Sequence, residues 1–323
     1  MITTEINPPA IDDEYLSFLN LSYGVWGDQQ QYDWYFRRPT AFGNPDLIVV
    51  RVNGRMAAGT GVSYRIVTLP NDKDITVGIV TGAWTLPQYR GQGLFARVML
   101  DAVQLTKERA GALLLGFVKQ QNASARQMER LGSALFPGFY LAAPAERLTM
   151  SRDSPRLYPI EPTEHLISEL LRRFQLSGSK HCRFSYPTKG DFIAQYLNRP
   201  GPTEILTDGN HNFAIVEERG DLDILQLAVV DTQSEEDLTA FMSAALASSC
   251  GRLLSYSTSA VMARVCHGLG FDIQRGYIAT LVADEHSMNG LAGVKLEFRS
   301  KAVADPTAPY YIGPWLVNSG DRL

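Results

Sequence analysis

The residues best suited to chemistry in this chain lie in one run, Thr85-Leu-Pro-Gln-Tyr-Arg-Gly-Gln-Gly-Leu-Phe95. The run separates an apolar, strand-like segment over 77–84 from a helix-like segment over 94–109. A helix that starts directly after a strand presents backbone N–H groups with no partner inside the helix, and its dipole favours an anion there. Gly91 and Gly93 carry no side chain, so a phosphate can come close to the backbone, and Arg90 adds a charged donor beside it. The spacing predicts an anion cradle, which the rest of the chain must position.

Other signals compete with that reading and fail on context. Gly91-Gln-Gly93-Leu-Phe-Ala96 also fits the Gly-x-Gly-x-x-Ala form of the dinucleotide fingerprint. That site needs the glycines after the first strand and an acid at the end of the next. Here several strands precede the loop, and the next one ends in Phe117-Val-Lys-Gln120 with no carboxylate. There is no Gly-Lys-Ser/Thr run, hence no P-loop. His181-Cys182 and Cys266-His267 are neighbours in sequence without metal-ligand spacing, so no metal is expected. Asn122-Ala-Ser124 is a glycosylation sequon, which has no meaning without secretion.

Composition narrows the classes further. The 323 residues are 45% hydrophobic and 20% charged with a net charge of −4, which describes a soluble globular chain long enough for two domains. No Lys/Arg block makes an electrostatic case for nucleic acid or an anionic membrane. The first nine residues have no basic or apolar region of a signal peptide, and no run approaches a transmembrane length. Three cysteines without Cys-x-x-Cys fit reduced thiols, and the cytoplasm is the expected compartment.

Taken in order, the chain begins with a helical pattern at Tyr15, Leu16, Phe18 and Leu19, followed by the rings of Tyr23, Trp26, Tyr32, Trp34, Tyr35 and Phe36. These rings could line a substrate cleft or pin a helix to the core. Strands are expected over 47–52, 56–69 and 75–84, with Asn53-Gly54 a hairpin signal and Pro70-Asn71-Asp72 a turn. The helix after the cradle puts Phe95, Val98, Met99, Ala102 and Val103 on one face and should end at Gly111. A buried strand over 112–118, parallel to the one before the helix, a helix over 123–131 stopped by Gly132, a turn over 136–140 and a last strand over 147–150 complete the first half. Prolines 155, 159 and 162 place a linker over 151–164.

The second half repeats this order. A helix over 164–175 leads to strands over 213–218 and 222–230 around Arg219-Gly220, then a helix over 235–247. A strand over 253–257, a helix over 260–269 and a strand near 277–282 follow. Cys266-His-Gly-Leu-Gly-Phe271 echoes Met128-Glu-Arg-Leu-Gly132, so an internal repeat is expected. Its helix start, after Asp231-Thr-Gln-Ser234, has neither glycine pair nor arginine, and its acids should repel phosphate.

Gln88-Tyr-Arg-Gly-Gln-Gly93, followed by the apolar Leu94, resembles the Gln/Arg-x-x-Gly-x-Gly/Ala signature of the GNAT superfamily of N-acetyltransferases. Thr85-Leu-Pro87 looks like that family's strand end ahead of the loop, and Arg130-Leu-Gly132 resembles its Lys-Leu-Gly-Phe ending, with Ser133 in place of the aromatic residue. The resemblance covers about residues 40 to 150. The whole chain is similar to tandem acetyltransferase-like proteins, through Arg38-Pro39 and the tail Trp315-Leu-Val-Asn-Ser-Gly-Asp321.

This resemblance implies an α/β fold with mixed sheets in two tandem copies, 1–150 carrying the coenzyme loop and 151–323 a degenerate copy. It implies that N–H groups from Arg90 to Leu94 hold the pyrophosphate of coenzyme A, within a site of Ala83, Trp84, Thr85, Gln88, Tyr89, Arg90, Gly91, Gln92, Gly93, Leu94, Phe95 and Asn122. Asn122 could bond the pantetheine amides or cap a helix. The strand at 83–85 would splay from the one at 114–117, leaving a gap for pantetheine. The implied reaction is transfer of an acetyl group from acetyl-CoA to a primary amine of a small metabolite, an amino sugar first, by direct attack without a metal. The tyrosine that protonates the leaving thiolate in the family falls at Met128, and 78–85 offers no Asp, Glu or His as base. Tyr35 and Asp33 are the substitutes nominated for proton transfer. Two other readings stand beside this one: a binding protein that holds acyl-CoA without turnover, and an N-acyltransferase for longer acyl chains.

Overall fold

The computed structural model of the chain describes residues 1–144, 156–177, 181–230, 234–284 and 315–322. An edge strand, β1 (Ile2–Ile6), precedes helix α1 (Asp12–Tyr23), whose first turn carries Asp12, Asp13 and Glu14 where the dipole favours acids. A single turn, α2 (Gln29–Tyr32), runs into a π-helical turn over Asp33–Arg37. Three antiparallel strands follow, β2 (Asp46–Val52), β3 (Arg55–Thr68) and β4 (Asp74–Thr85). Asn53 and Gly54, at φ 51° and 80°, make the β2–β3 hairpin expected of that pair. Beyond the glycine corner come α3 (Leu94–Glu108), β5 (Leu113–Lys119), α4 (Ala123–Arg130) and β6 (Ala134–Ala142). As expected, β5 runs parallel to β4.

The second half repeats the order. It comprises β7 (Tyr158–Ile160), α5 (Glu164–Ser177), β8 (Cys182–Ser185), α6 (Lys189–Tyr196), β9 (Thr203–Thr207), β10 (Phe213–Arg219) and β11 (Leu222–Val229). After these come α7 (Glu235–Ser248), β12 (Arg252–Ser257), α8 (Ala260–Gly268), β13 (Asp272–Val282) and β14 (Trp315–Leu316). One sheet joins them in the order β1-β2-β3-β4-β5-β13-β6-β12-β11-β10-β9-β7, with β8 on the edge of β3 and β14 on β8. The arms mirror each other: β4 is parallel to β5 and β11 to β12, while β1 edges β2 as β7 edges β9. At the centre the last strands are exchanged. β13 of the second half pairs with β5, β6 of the first half pairs with β12, and the two pair with each other.

Apolar faces explain the layers. In α3, Leu94, Val98, Met99 and Ala102 bury against Ile48, Val62 and Leu114 on one face of the first arm, together with Met128 of α4. In the second arm Phe241 and Met242 of α7 and Val265 and Cys266 of α8 play that part. α5 and α6 cover the opposite face. The aromatic stretch pins α1 and the π turn down: Tyr15, Tyr32 and Phe36 are at most 1% exposed and pack with Trp84. Gly61 makes room for them, since a Cβ there would lie 2.6 Å from the Phe36 ring.

Three local expectations are corrected. The segment 136–140, expected to turn, is the middle of β6. Pro137 has no N–H to give, but β12 pairs with β6 only from Phe139 onward, so at Pro137 β13 is the only partner. Gly138 is needed there for space, because a Cβ would sit 2.1 Å from the Tyr256 hydroxyl. Gly111 does not take the left-handed position after α3; Ala110 does, at φ 55°, and the Gly111 N–H bonds back to the Thr106 carbonyl at 2.8 Å. Within the expected linker, 158–160 forms β7 on the edge of β9. Residues 151–155, and the strand expected over 147–150, lie outside the described residues.

Candidate functional site

The glycine corner leaves a helix start open. Gly93 is the N-cap of α3 at φ 75°, ψ 6°, and no side chain caps the helix. Its first turn carries no acid. The Arg97 N–H is the first to bond back, to the Gly93 carbonyl at 3.1 Å, which leaves the amides of Leu94, Phe95 and Ala96 without helical acceptors. Gly91 stands at φ 80°, and no atom lies within 4 Å of where a Cβ of either glycine would be. A 3-10 turn over Pro87–Tyr89 aims the loop, and Arg90 Nε donates to the Thr85 carbonyl at 3.2 Å.

This corner opens on a cleft of about 860 Å³. One wall is the end of β4 with Ala83, Trp84 and Thr85; another is the corner itself, with Tyr89, Arg90, Gly91, Gly93, Leu94 and Phe95. A third is the start of α4, with Asn122, Ser124, Gln127 and Arg130. No carboxylate is on the described wall, while Arg90 and Arg130 both are. The cleft exists because β4 and β5 part: their pairing covers only Val77–Ile79 against Leu113–Leu115. A shift in the β3–β4 register beside Gly61, with Gly82 at φ 57°, bends β4 away beyond that point. The bend leaves the Ala83 carbonyl to accept from the Tyr23 hydroxyl at the end of α1. Desolvation of that hydroxyl raises its pKa to about 12, although the Tyr23 ring is 52% exposed.

The nominated residues separate into groups. Ala83, Trp84, Thr85, Tyr89, Arg90, Gly91, Gly93, Leu94, Phe95 and Asn122 come together around this cleft. Asn122 does occupy the N-cap position of α4, yet its side chain makes no capping bond. Gln88 and Gln92 are exposed on the loop, where the Gln92 amide donates to the Gln88 carbonyl at 3.5 Å. Met128 is 1% exposed and packs beneath Gly116 in the core. Tyr35 and Asp33 lie elsewhere. The Tyr35 ring packs against Trp34 and Trp26, with centroids 4.9 and 5.4 Å away, and Asp33 is exposed and accepts from Gln29 at 2.8 Å. Tyr23 was named from sequence only among the rings that could line a cleft and Arg130 only within Arg130-Leu-Gly132, while Ser22, Ser124 and Gln127 were not singled out; the α4 positions were legible as a helix face three residues apart, but Tyr23 is sixty residues from its strand.

The matching helix of the second half differs. In α7 the Ser234 hydroxyl accepts from the Asp237 N–H at 3.1 Å, and Glu235, Glu236 and Asp237 fill the first turn. Its helix end is capped at the Asp237 amide and acidic, which disfavours a phosphate. Residues 231–233 lie outside the described residues.

The acetyltransferase (GNAT) domain family model matches residues 8–128. A solved GCN5-related N-acetyltransferase from Anabaena variabilis aligns with TM-score 0.61 and 13% identity over 89% of this chain and 74% of that one. A probable N-acyltransferase from Enterococcus faecalis gives 0.60 and 10% over 89% and 74%. A tandem GNAT protein from the clavulanic acid biosynthesis pathway gives 0.56 and 13% over 87% and 99%. No curated protein matches. The acetyltransferase (GNAT) domain thus spans residues 8–128, glycine corner included, which supports an acyltransferase whose acyl donor is an acyl-CoA, and over both halves the chain shares its fold with a tandem GNAT protein.

Proposed function

We infer that the protein transfers an acetyl group from acetyl-CoA to a primary amine of a small metabolite, with an amino sugar the first acceptor to try. The observation that carries this reading is the uncapped, acid-free start of α3, open above Gly91 and Gly93. Acetyl-CoA supplies the activated thioester carbonyl that the amine attacks directly. The Arg90 N–H is taken by the Pro87 carbonyl at 3.2 Å, so the backbone N–H groups from Gly91 to Leu94 would bind the pyrophosphate, and the Asn122 side chain, free of a capping bond, would bond the pantetheine amides. The parted strands β4 and β5 would hold the pantetheine between them, with polar backbone at Ala83 to Thr85. Tyr23 lines the cleft with its hydroxyl on the Ala83 carbonyl, whereas Tyr35 and Asp33 lie elsewhere, which supports Tyr23 over those two as the group that handles the proton. Residues 1–150 would carry the chemistry and 151–323 would shape the acceptor side. The proposed compartment is the cytoplasm; among the described residues no helix is long and apolar enough to cross a membrane.

The burial of Met128 favours one alternative, a protein that binds acyl-CoA without turning it over. Calorimetric titration of acetyl-CoA into the wild type and Gly91→Glu, followed by thioester consumption with a panel of amines, decides between them. Micromolar binding lost in Gly91→Glu, with consumption by some amine, is the expected outcome. Binding without consumption would favour the carrier, a longer acyl-CoA consumed in preference would replace acetyl, and no binding would overturn the reading.

A further inference from the structure

Away from the cleft, arginines converge where the two halves meet. Arg38 follows the π turn, Arg65 lies on β3, and Arg199 follows α6. The guanidiniums of Arg38 and Arg199 lie over the Trp34 ring, 4.0 and 4.4 Å from its centroid. Arg199 is neutralised by Glu217 at 2.8 Å, but that carboxylate also takes Arg219 at 2.7 Å and the Gln226 amide at 2.6 Å. Arg38 and Arg65 share the amide oxygen of Gln195, at 2.8 and 2.6 Å. Their other bonds go to the backbone carbonyls of Ala194, at 2.5 Å, and Asp321, at 3.0 Å. The Asp321 carboxyl is held by the hydroxyls of Tyr186 and Tyr196, both at 2.8 Å, and burial pushes its pKa up. No carboxylate among the described residues is bonded to Arg38 or Arg65. Arg65 is only 6% exposed, and Arg38 Nε is buried with no acceptor.

Arg38 has no bonded counter-charge and Arg65 has only the nearby Asp321 carboxyl, to which it is not bonded; burying such charges is costly, and an anion beside these two guanidiniums would offset the cost. There is room for one. The edge of β3 is open between Val62, its last partner for β2, and Ile66, its first for β8. A cavity of about 50 Å³ opens at that gap, lined by Arg38, Arg65, Phe42, Tyr186, Asp191 and Gln195. A water needs roughly 10–15 Å³ of such space, so the cavity takes a group of about three to five heavy atoms. That is the size of a carboxylate, whose plane suits a guanidinium fork. Asp191 on the wall is engaged by Thr188, from its N–H at 3.1 Å and its hydroxyl at 2.7 Å. Burial first, and then the charges of Arg65 and Arg199 beside it, bring the Arg38 pKa down to about 9.

We propose that Arg38 and Arg65 form a binding site for the carboxylate of a small molecule, at the junction of the halves and apart from the glycine corner. The carboxylate belongs either to the acceptor amine or to a separate small acid. The first test is thermal melting of the full chain in acetate, formate or phosphate, against sodium chloride at matched ionic strength. The carboxylates are expected to raise the melting temperature saturably by roughly 2–4 °C, and Arg38→Gln to abolish the rise. If Arg38→Gln does not fold, Arg38→Lys keeps the charge but lacks the Nε–H, and the rise should again be lost. Equal melting in acetate and chloride, a response to phosphate alone, or a rise that persists in these variants would overturn the site. This measurement does not depend on acetyl-CoA binding, so the two readings fail separately. The second arm, which rests on the acyltransferase reading, compares amino acids with their decarboxylated amines as acceptors. A tenfold or greater preference for the amino acids, lost in Arg38→Gln, assigns the carboxylate to the acceptor; equal rates with intact acetate binding assign it to a separate acid.

Discussion

Changing Ala96 to aspartate should separate coenzyme binding from stability, because the two are expected to move in opposite directions. Ala96 is the third residue of α3 and lines the cleft, in a first turn that has no acid where α7 has three. A carboxylate there complements the helix dipole and should leave the melting temperature unchanged or raise it, a gain of about 0.3–1 kcal/mol. Toward a pyrophosphate at the same amides it is repulsive. At roughly 5 Å each pair of like charges costs about 0.8 kcal/mol in water-like surroundings and about 3 kcal/mol at an effective dielectric of 20. Two phosphate charges give about 1.6 to 6 kcal/mol, a loss of affinity of roughly 15-fold at the least. Ala96→Asn, similar in size and uncharged, is the control and should lose little. Calorimetric titration of acetyl-CoA into the three proteins measures the difference, and raising salt from about 0.05 to 0.5 M should recover part of the aspartate deficit only. Affinities of the Asp and Asn variants within twofold of each other would refute the anion cradle.

Tyr23→Phe removes the hydroxyl from the Ala83 carbonyl. The turnover number is expected to fall tenfold or more while acetyl-CoA affinity stays within about threefold, as for a proton-handling group; unchanged turnover would end that role. Glu217→Gln leaves Arg199, whose side chain is 3% exposed, without its counter-charge. A loss of about 3–5 kcal/mol in a denaturant titration is expected. The arginines and other donors hold the Glu217 pKa below its usual 4.5 against the opposing effect of burial, so its contribution is present above that pH and is lost as pH falls. Acid titrations of the wild type should therefore show a loss of stability below about pH 4.5 that the variant lacks.

What the sequence revealed was local. Gly91 and Gly93 are spaced for a turn and a helix start, and Asn53-Gly54 for a hairpin, because each fixes its own backbone. Pro137-Gly138 misled for the same reason: alone the pair turns, but pairing with Tyr277 and Gly276, far along the chain, extends it into β6. β8, β9 and α6 are four, five and eight residues long, too short for a periodic pattern to stand out. The aromatic stretch announced large buried area but not its direction. Most of its rings turned into the core, while Tyr23, at the end of α1, reached the cleft. That placement depends on a bend in β4 sixty residues away, for which no local signal exists.

The exchange of β6 and β13 sets a timetable for the newborn chain. β5 is complete once residue 119 has been made, but its central neighbour spans 272–282. At about 5–20 residues per second a ribosome needs roughly 8–30 s to supply it. Throughout that interval the inner edge of β5 exposes unpaired N–H and carbonyl groups, the surface from which aggregation starts. An early stop codon, a pause or a protease cut within the second half leaves an unfinished first half too. Each copy closes the other's sheet, so in this fold neither half is finished without the other.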